Sequence, residues 1–275
     1  MSNPLQKYYR QPKIYISLPS RGKFYPPGTI SGDPANLPVF GMSAMDEIMM
    51  KTPDALFSGE SVVATIKSCI PAILDPWKMP QIDVDAVLVA IRMATYGQKL
   101  ETSFKCKECG EDNLYDLDLS KILDYFSSLT YQDQVIIGPL CVHLRPLTYK
   151  EMTEISMKSY ELRKQLYQTF DSKVTDSEKN KFLDGVYRKI AALSVDTFKR
   201  SISSIEVDDE EVTDSAIIDD WLKNSDKELF DKLKEHIESL RDVWSIQSQK
   251  ADCVSCGTEN SVSINLDNSD FFVRR

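Results

Sequence analysis

Only two histidines occur in the 275 residues, His143 and His236, so schemes built on an imidazole base are sparsely supplied. The sequence also has no Walker-type phosphate loop, no dinucleotide glycine fingerprint, no His-Glu-x-x-His and no Gly-x-Ser-x-Gly. Those gaps remove the common signatures of nucleotide, metalloprotease and serine-hydrolase chemistry, and no enzyme activity is expected. No apolar run approaches the roughly 18–20 residues that cross a bilayer, so membrane insertion is not expected. The stretch MSNPLQKYYRQPK lacks the apolar core of a signal peptide, which predicts a protein that stays where it is made. An excess of positive charge is missing too. The formal net charge is -9, whereas phosphate contact needs concentrated Lys and Arg, so nucleic acid is not the expected partner.

The charge that is present is unevenly placed. Residues 1–32 carry Lys7, Arg10, Lys13, Arg21 and Lys23 and no acid, whereas 201–220 carries eight acids and no base. Such runs read either as solvated surface or as electrostatic docking surfaces. Hydrophobic residues at 42% and charged residues at 27% fit a globular chain, long enough for one large domain or two modest ones.

Six cysteines stand at 69, 106, 109, 141, 253 and 256. Without a secretion signal thiols are expected to stay reduced, so the two Cys-x-x-Cys pairs read as metal ligands or redox centres. In a redox pair the first thiol usually sits at a helix N-terminus. Here each second cysteine is followed by Gly and polar turn residues, then by alternating apolar positions: Leu117 and Leu119 after the first pair, Ile264 and Leu266 after the second. That is a turn feeding a strand. A shift of 147 superimposes Cys106 on Cys253, Cys109 on Cys256, Gly110 on Gly257, Asn113 on Asn260 and Leu119 on Leu266. Two knuckles complete a tetrahedron, so Cys106, Cys109, Cys253 and Cys256 are expected to bind one structural zinc ion. Compact ribbons keep their pairs about 15–20 residues apart, but here 143 residues lie between Cys109 and Cys253. Everything between becomes an insertion held at its base by the metal. Thiol–disulfide exchange through Cys106 and Cys109 is the competing reading. Cys69, within TIKSCIPAIL, reads as a buried small hydrophobe. Cys141 and His143 share one face of a strand, CVHLR, but a second metal site there needs further ligands that the neighbouring sequence does not supply.

The fold class expected is α+β, a mainly helical body with small antiparallel sheets and a discontinuous zinc ribbon. Residues 1–42 form an extended N-terminal arm, 43–97 a helical segment, 98–120 and 247–275 the two ribbon halves, and 121–246 an inserted β-hairpin plus helical region. Ser43 is expected to cap one helix; Thr52, Pro53 and Asp54 start another. Further helices cover SVVATIKSC and a run opened by Asp83 and ended by Gly97. QVIIGPLCVHLRP gives two strands around a Gly-Pro turn. Thr148 and Glu151 form a capping box. A helix over about 176–200 should turn Phe182, Val186, Ile190 and Leu193 inward, Asp214 caps AIIDDWL, and Leu233, Ile237, Leu240 and Trp244 mark a last helix.

The arm is the remaining candidate site. ISLPSRGKFYPPG joins rigid prolines, turn glycines, two cations and two aromatics. Phe24 and Tyr25 either lid the protein's own core or, with Leu18, Arg21 and Lys23, anchor a partner, since Arg and Tyr dominate interface energetics.

LPSRGKFYPPG, then Met-Ser-Ala-Met-Asp-Glu, Thr-Pro-Asp-Ala-Leu-Phe-Ser-Gly, Ile-Lys-Ser-Cys-Ile-Pro and AIRMATYG before a Cys-x-x-Cys-Gly knuckle, resembles the T4-type bacteriophage baseplate protein family. The matching motifs lie mainly in residues 14–120, with weaker similarity through LRPLTYKEM and IIDDWL to the last knuckle. Small members of that family are needed to assemble the central hub of contractile tails. The resemblance implies a viral protein, made in the host cell cytoplasm, that binds phage tail or baseplate hub proteins as an assembly chaperone or as a component of the virion tail baseplate. It brings no catalytic residues. A zinc-ribbon nucleic-acid adaptor is the alternative function.

Overall fold

The computed structural model describes residues 4–52, 57–170, 176–208, 210–262 and 271–272. The chain is α+β and folds as two compact units. One takes the chain up to Thr130 and again from Val243; the other is the intervening Tyr131–Asp242.

In the first unit, strand β1 (Pro12–Ile16) pairs antiparallel with β2 (Leu37–Phe40). Helices α1 (Ala44–Met50), α2 (Glu60–Cys69) and α3 (Gln81–Tyr96) follow. Helix α1 starts where expected, because the Ser43 hydroxyl accepts from the Asp46 amide while Asp46 Oδ2 accepts from the Ser43 amide at 2.7 Å. Asp46 also receives Arg10 Nη1 at 3.2 Å and the Ser68 hydroxyl at 3.0 Å, so one carboxylate ties the N-terminal segment, α1 and α2 together. Helix α3 is the centre of this unit: it packs on β1, β2 and α2, and Val87, Val89, Ala90 and Ile91 are buried. Cys69 is buried as expected of a small hydrophobe. The start at Thr52, Pro53 and Asp54 falls largely outside the described residues.

Two β-hairpins complete the unit: β3 (Lys99–Lys105) with β4 (Asp112–Asp118), and β9 (Gln249–Asp252) with β10 (Glu259–Val262). Leu119 does not extend β4. Asp118 accepts from the Ser120 amide at 3.0 Å and caps helix α4 (Leu119–Ser128), whose Leu119, Ile122 and Phe126 are buried. Phe126 stacks on Trp244 at 6.5 Å between ring centroids, and the Tyr125 hydroxyl donates to the Val243 carbonyl at 2.8 Å. Ile264 and Leu266 lie outside the described residues.

The second unit is built on a four-stranded antiparallel sheet, ordered β5 (Gln134–Ile137), β6 (Leu140–Leu144), β7 (Ile202–Val207), β8 (Glu210–Val212). Helices α5 (Tyr149–Phe170) and α6 (Asp176–Ser201) connect β6 to β7; α7 (Ser215–Asn224) and α8 (Lys227–Val243) follow. Val142, Leu144 and Ile205 on one sheet face join Ile218, Leu222, Leu233 and Leu240 in the core. Asp214 caps α7 through the Ala216 amide at 2.7 Å. Val186 is buried as expected, but Phe182 is 47% exposed, so the inward stripe of α6 does not include it.

The Thr148–Glu151 capping box is present, and Arg145 closes on the same carboxylate with two bonds of 2.9 and 2.8 Å. Partial burial opposes ionisation of Glu151, but the Arg145 guanidinium and the Thr148 amide outweigh it and hold the carboxyl down at about 2. A folded-state pKa below the unfolded value means stability present above pH 4.5 and lost as pH falls toward 2. Glu151→Gln is expected to flatten that acid limb, read by circular dichroism between pH 5 and 2, and to cost on the order of 1 kcal/mol at neutral pH, because the pair is partly solvent-screened.

Candidate metal centre

Each hairpin turn is a knuckle with the same internal bonds. The Cys106 amide donates to the Glu111 carbonyl at 2.9 Å and the Gly110 amide to the Cys106 carbonyl at 3.0 Å; the Cys253 amide donates to Thr258 at 3.0 Å and Gly257 to Cys253 at 2.9 Å. Gly110 and Gly257 have φ of 73° and 71°, the left-handed conformation that turns the chain back after the second cysteine. The result aims both sulfurs of a knuckle to one side.

The two knuckles meet. Cys106 Sγ lies 3.7 Å from Cys256 Sγ, Cys109 Sγ lies 3.6 Å from Cys253 Sγ, and all four sulfurs fall within 4.8 Å of one another. A tetrahedral ion with metal–sulfur bonds of about 2.3 Å requires sulfur–sulfur edges of about 3.8 Å. A disulfide would need about 2.05 Å, and the four thiols are free. The donor set therefore fits a four-sulfur metal site, with Cys106 and Cys253 buried and Cys109 and Cys256 exposed.

Two asparagines cross between the knuckles, each gripping the opposite one. Asn113 accepts from the Val254 amide at 2.9 Å and points its Nδ2 at Cys253 Sγ at 3.5 Å. Asn260 accepts from the Lys107 amide at 3.0 Å and points its Nδ2 at Cys106 Sγ at 3.6 Å. The bonds obey the same 147-residue shift as the cysteines. The sequence displays the Asn113–Asn260 register; their function as the clasp becomes visible only once the hairpins are opposed.

Amide donors favour ionised sulfur. The Cys109 amide, against burial and with help from Glu108 and Asn260, brings the Cys106 thiol down to about 6; the Cys256 amide and Asn113 lower Cys253 likewise. At Cys109 the Glu111 amide lowers, but the neighbouring sulfurs, Cys256 first, raise by more and push the thiol up to about 12. Four crowded sulfurs cannot all ionise without a cation between them, which is what a divalent metal would supply.

The arm residues are dispersed by burial. Strand β1 leads into turns rather than an extended segment: Arg21, Gly22 and Phe24 have φ of 54°, 80° and 71°. Gly22 is required twice, by its φ and because an added Cβ would lie 2.7 Å from Pro34 Cγ. Leu18 is 1% exposed and belongs to the core, so it supports the loop from beneath and offers a partner no surface. Arg21 and Lys23 are exposed, and Phe24 and Tyr25 are half-buried. Lys23 lies over the Phe24 ring at 5.1 Å. Sequence reasoning missed the anchor of this loop. Asp83 does not cap α3; its buried carboxylate accepts from the Ser20 amide at 2.7 Å and from the Ser20 hydroxyl, and the Tyr25 hydroxyl is buried against it.

Among the described residues no helix is long and apolar enough to cross a membrane. Neither a curated protein nor a solved structure matches the chain. The family model for the T4 bacteriophage base plate protein, however, matches residues 42–273, from the start of α1 through both knuckles. The chain belongs to the T4 bacteriophage base plate protein family.

Proposed function

We propose that this protein acts without catalysis in assembling the central hub of the phage baseplate by binding other tail proteins, as an assembly chaperone in the host cytoplasm or as a hub component retained in the tail. The observation that carries the reading is the family match over residues 42–273. Cys106, Cys109, Cys253 and Cys256 hold a structural zinc ion in this reading. When bound, zinc supplies a closed tetrahedral cross-link whose four protein ligands leave no position for substrate. The exposed cations Arg21 and Lys23, on a loop clamped from below by Asp83, are the proposed contact with a tail protein.

Mass spectrometry of purified particles beside infected-cell lysate, with a pull-down on the full chain, tests this. Co-purification with hub proteins is the expected result. Presence in particles marks a component and absence from them a chaperone, while recovery of no tail protein in either fraction overturns the proposal.

The asparagine clasp makes a second expectation. Asn113→Ala and Asn260→Ala should each weaken zinc binding by about 10–100-fold, as loss of an outer hydrogen-bond partner does elsewhere. Competition with a chromogenic chelator measures it. The 147-residue symmetry requires both variants to behave alike, so a large effect at only one position would count against equal roles.

A further inference from the structure

We infer that the polar face of the four-stranded sheet carries a second metal site, for a borderline divalent cation of the zinc type, held by Cys141, His143 and Glu206. One ligand atom from each falls within 4.8 Å of the others, and His143 Nε2 lies 3.5 Å from Glu206 Oε2. A tetrahedral ion with metal–nitrogen and metal–oxygen bonds of about 2.0–2.2 Å requires an edge of about 3.4 Å between those donors. The ligand missing from the local sequence thus arrives from β7, 63 positions after His143.

Strand register puts the three together. Cys141 and His143 are two residues apart on β6 and so share a face, and Cys141 stands directly opposite Glu206 on β7. The other face of the same strands holds Val142, Leu144 and Ile205 in the core. The three donors are therefore surface residues whose removal leaves the core packing untouched. Cys141 and His143 are half-buried and Glu206 is exposed. Glu206 is also paired across strands with Glu211 on β8. Two carboxylates directly opposite one another repel, and a cation at the sheet surface relieves that repulsion.

The imidazole has an orienting partner. Gln134, opposite His143 on β5, places its side-chain amide 3.4 Å from Nδ1. With the amide turned over, its oxygen accepts Nδ1–H and leaves Nε2 to bind the cation. Sulfur, nitrogen and carboxylate oxygen together suit zinc, cobalt or nickel rather than calcium or magnesium. Three protein ligands leave one coordination position open, unlike the closed four-sulfur site.

The test uses the full chain, reduced and loaded with one equivalent of zinc, then titrated with Co²⁺. Uptake of one further equivalent with a thiolate-to-cobalt charge-transfer band is expected, with no zinc released. Cys141→Ser should abolish the band. His143→Ala and Glu206→Gln should each weaken uptake by at least about ten-fold, the effect seen for outer partners elsewhere. Far-UV circular dichroism should be unchanged in all three. The inference is overturned if the zinc-loaded chain takes up no second equivalent, or if Cys141→Ser keeps the band. It is equally overturned if cobalt merely displaces the zinc already bound. None of these outcomes bears on hub assembly.

Discussion

Cys253→Ser is expected to release zinc and to loosen β3–β4 and β9–β10 together, although the first hairpin is remote in sequence. The reason is that a two-stranded hairpin is marginal alone, and these two meet through their four sulfurs and the Asn113 and Asn260 bonds, the sulfurs being the proposed ligands of one ion. With a ligand lost, affinity should fall by more than about 100-fold, beyond the range for outer partners. The clamp also closes a span of 143 residues. Treated as a cross-link, that is worth at most about 5 kcal/mol, a ceiling because the folded second unit already shortens the path between its ends. Elemental analysis after dialysis and hydrogen exchange resolved by peptide measure both effects. Faster exchange in both hairpins, with β5–β8 unchanged, is the expected pattern. Stoichiometric zinc in the variant, or loosening confined to β9–β10, would refute the shared site.

Asp83→Ala is expected to free the loop that presents Arg21 and Lys23. The carboxylate satisfies two donors of Ser20 in a buried setting, so its loss costs about 2–3 kcal/mol and strands the Ser20 amide. Tryptic cleavage after Arg21 and Lys23, both exposed, should accelerate; unchanged cleavage and melting would remove Asp83 from the anchoring role. The charge on this group carries its own signature. Burial pushes Asp83 up to about 6, although its bonds with Ser20 pull the other way, and burial alone does the same to Asp85. The native state therefore binds protons more tightly than the unfolded chain between pH 3.8 and about 6, so this contribution to stability falls as pH rises through that window. The sign is opposite to that of Glu151. Asp83→Asn, which retains an acceptor for the Ser20 amide, should keep the loop protected and remove part of that slope.

The cysteine pairs were legible because spacing and duplication are properties of the chain itself, and the sulfurs converge as the repeat suggested. Helix α4 was not, since alternation through Leu117 continues to Leu119 and hides that Asp118 is a cap; the buried Leu119, Ile122 and Phe126 were its available signal. Glu206 and Asp83 were illegible for a different reason. Each acts on residues about 63 positions away, and only strand register or helix docking decides which partner it meets. Leu18 was read with its exposed neighbours because an apolar residue amid prolines and cations looks the same whether it points inward or out; the fold decides it, burying the side chain and tying the Leu18 amide to the Pro34 carbonyl at 2.9 Å.

The interleaving of the two units also orders events during synthesis. At about 5–20 residues per second the ribosome needs roughly 7–30 s to make the 143 residues between Cys109 and Cys253. The earlier knuckle spends that interval without its counterpart. The later-emerging unit, encoded wholly within the gap, can finish its own core first. The first half of the ribbon, made well before the second, is thus among the last segments to reach its final form.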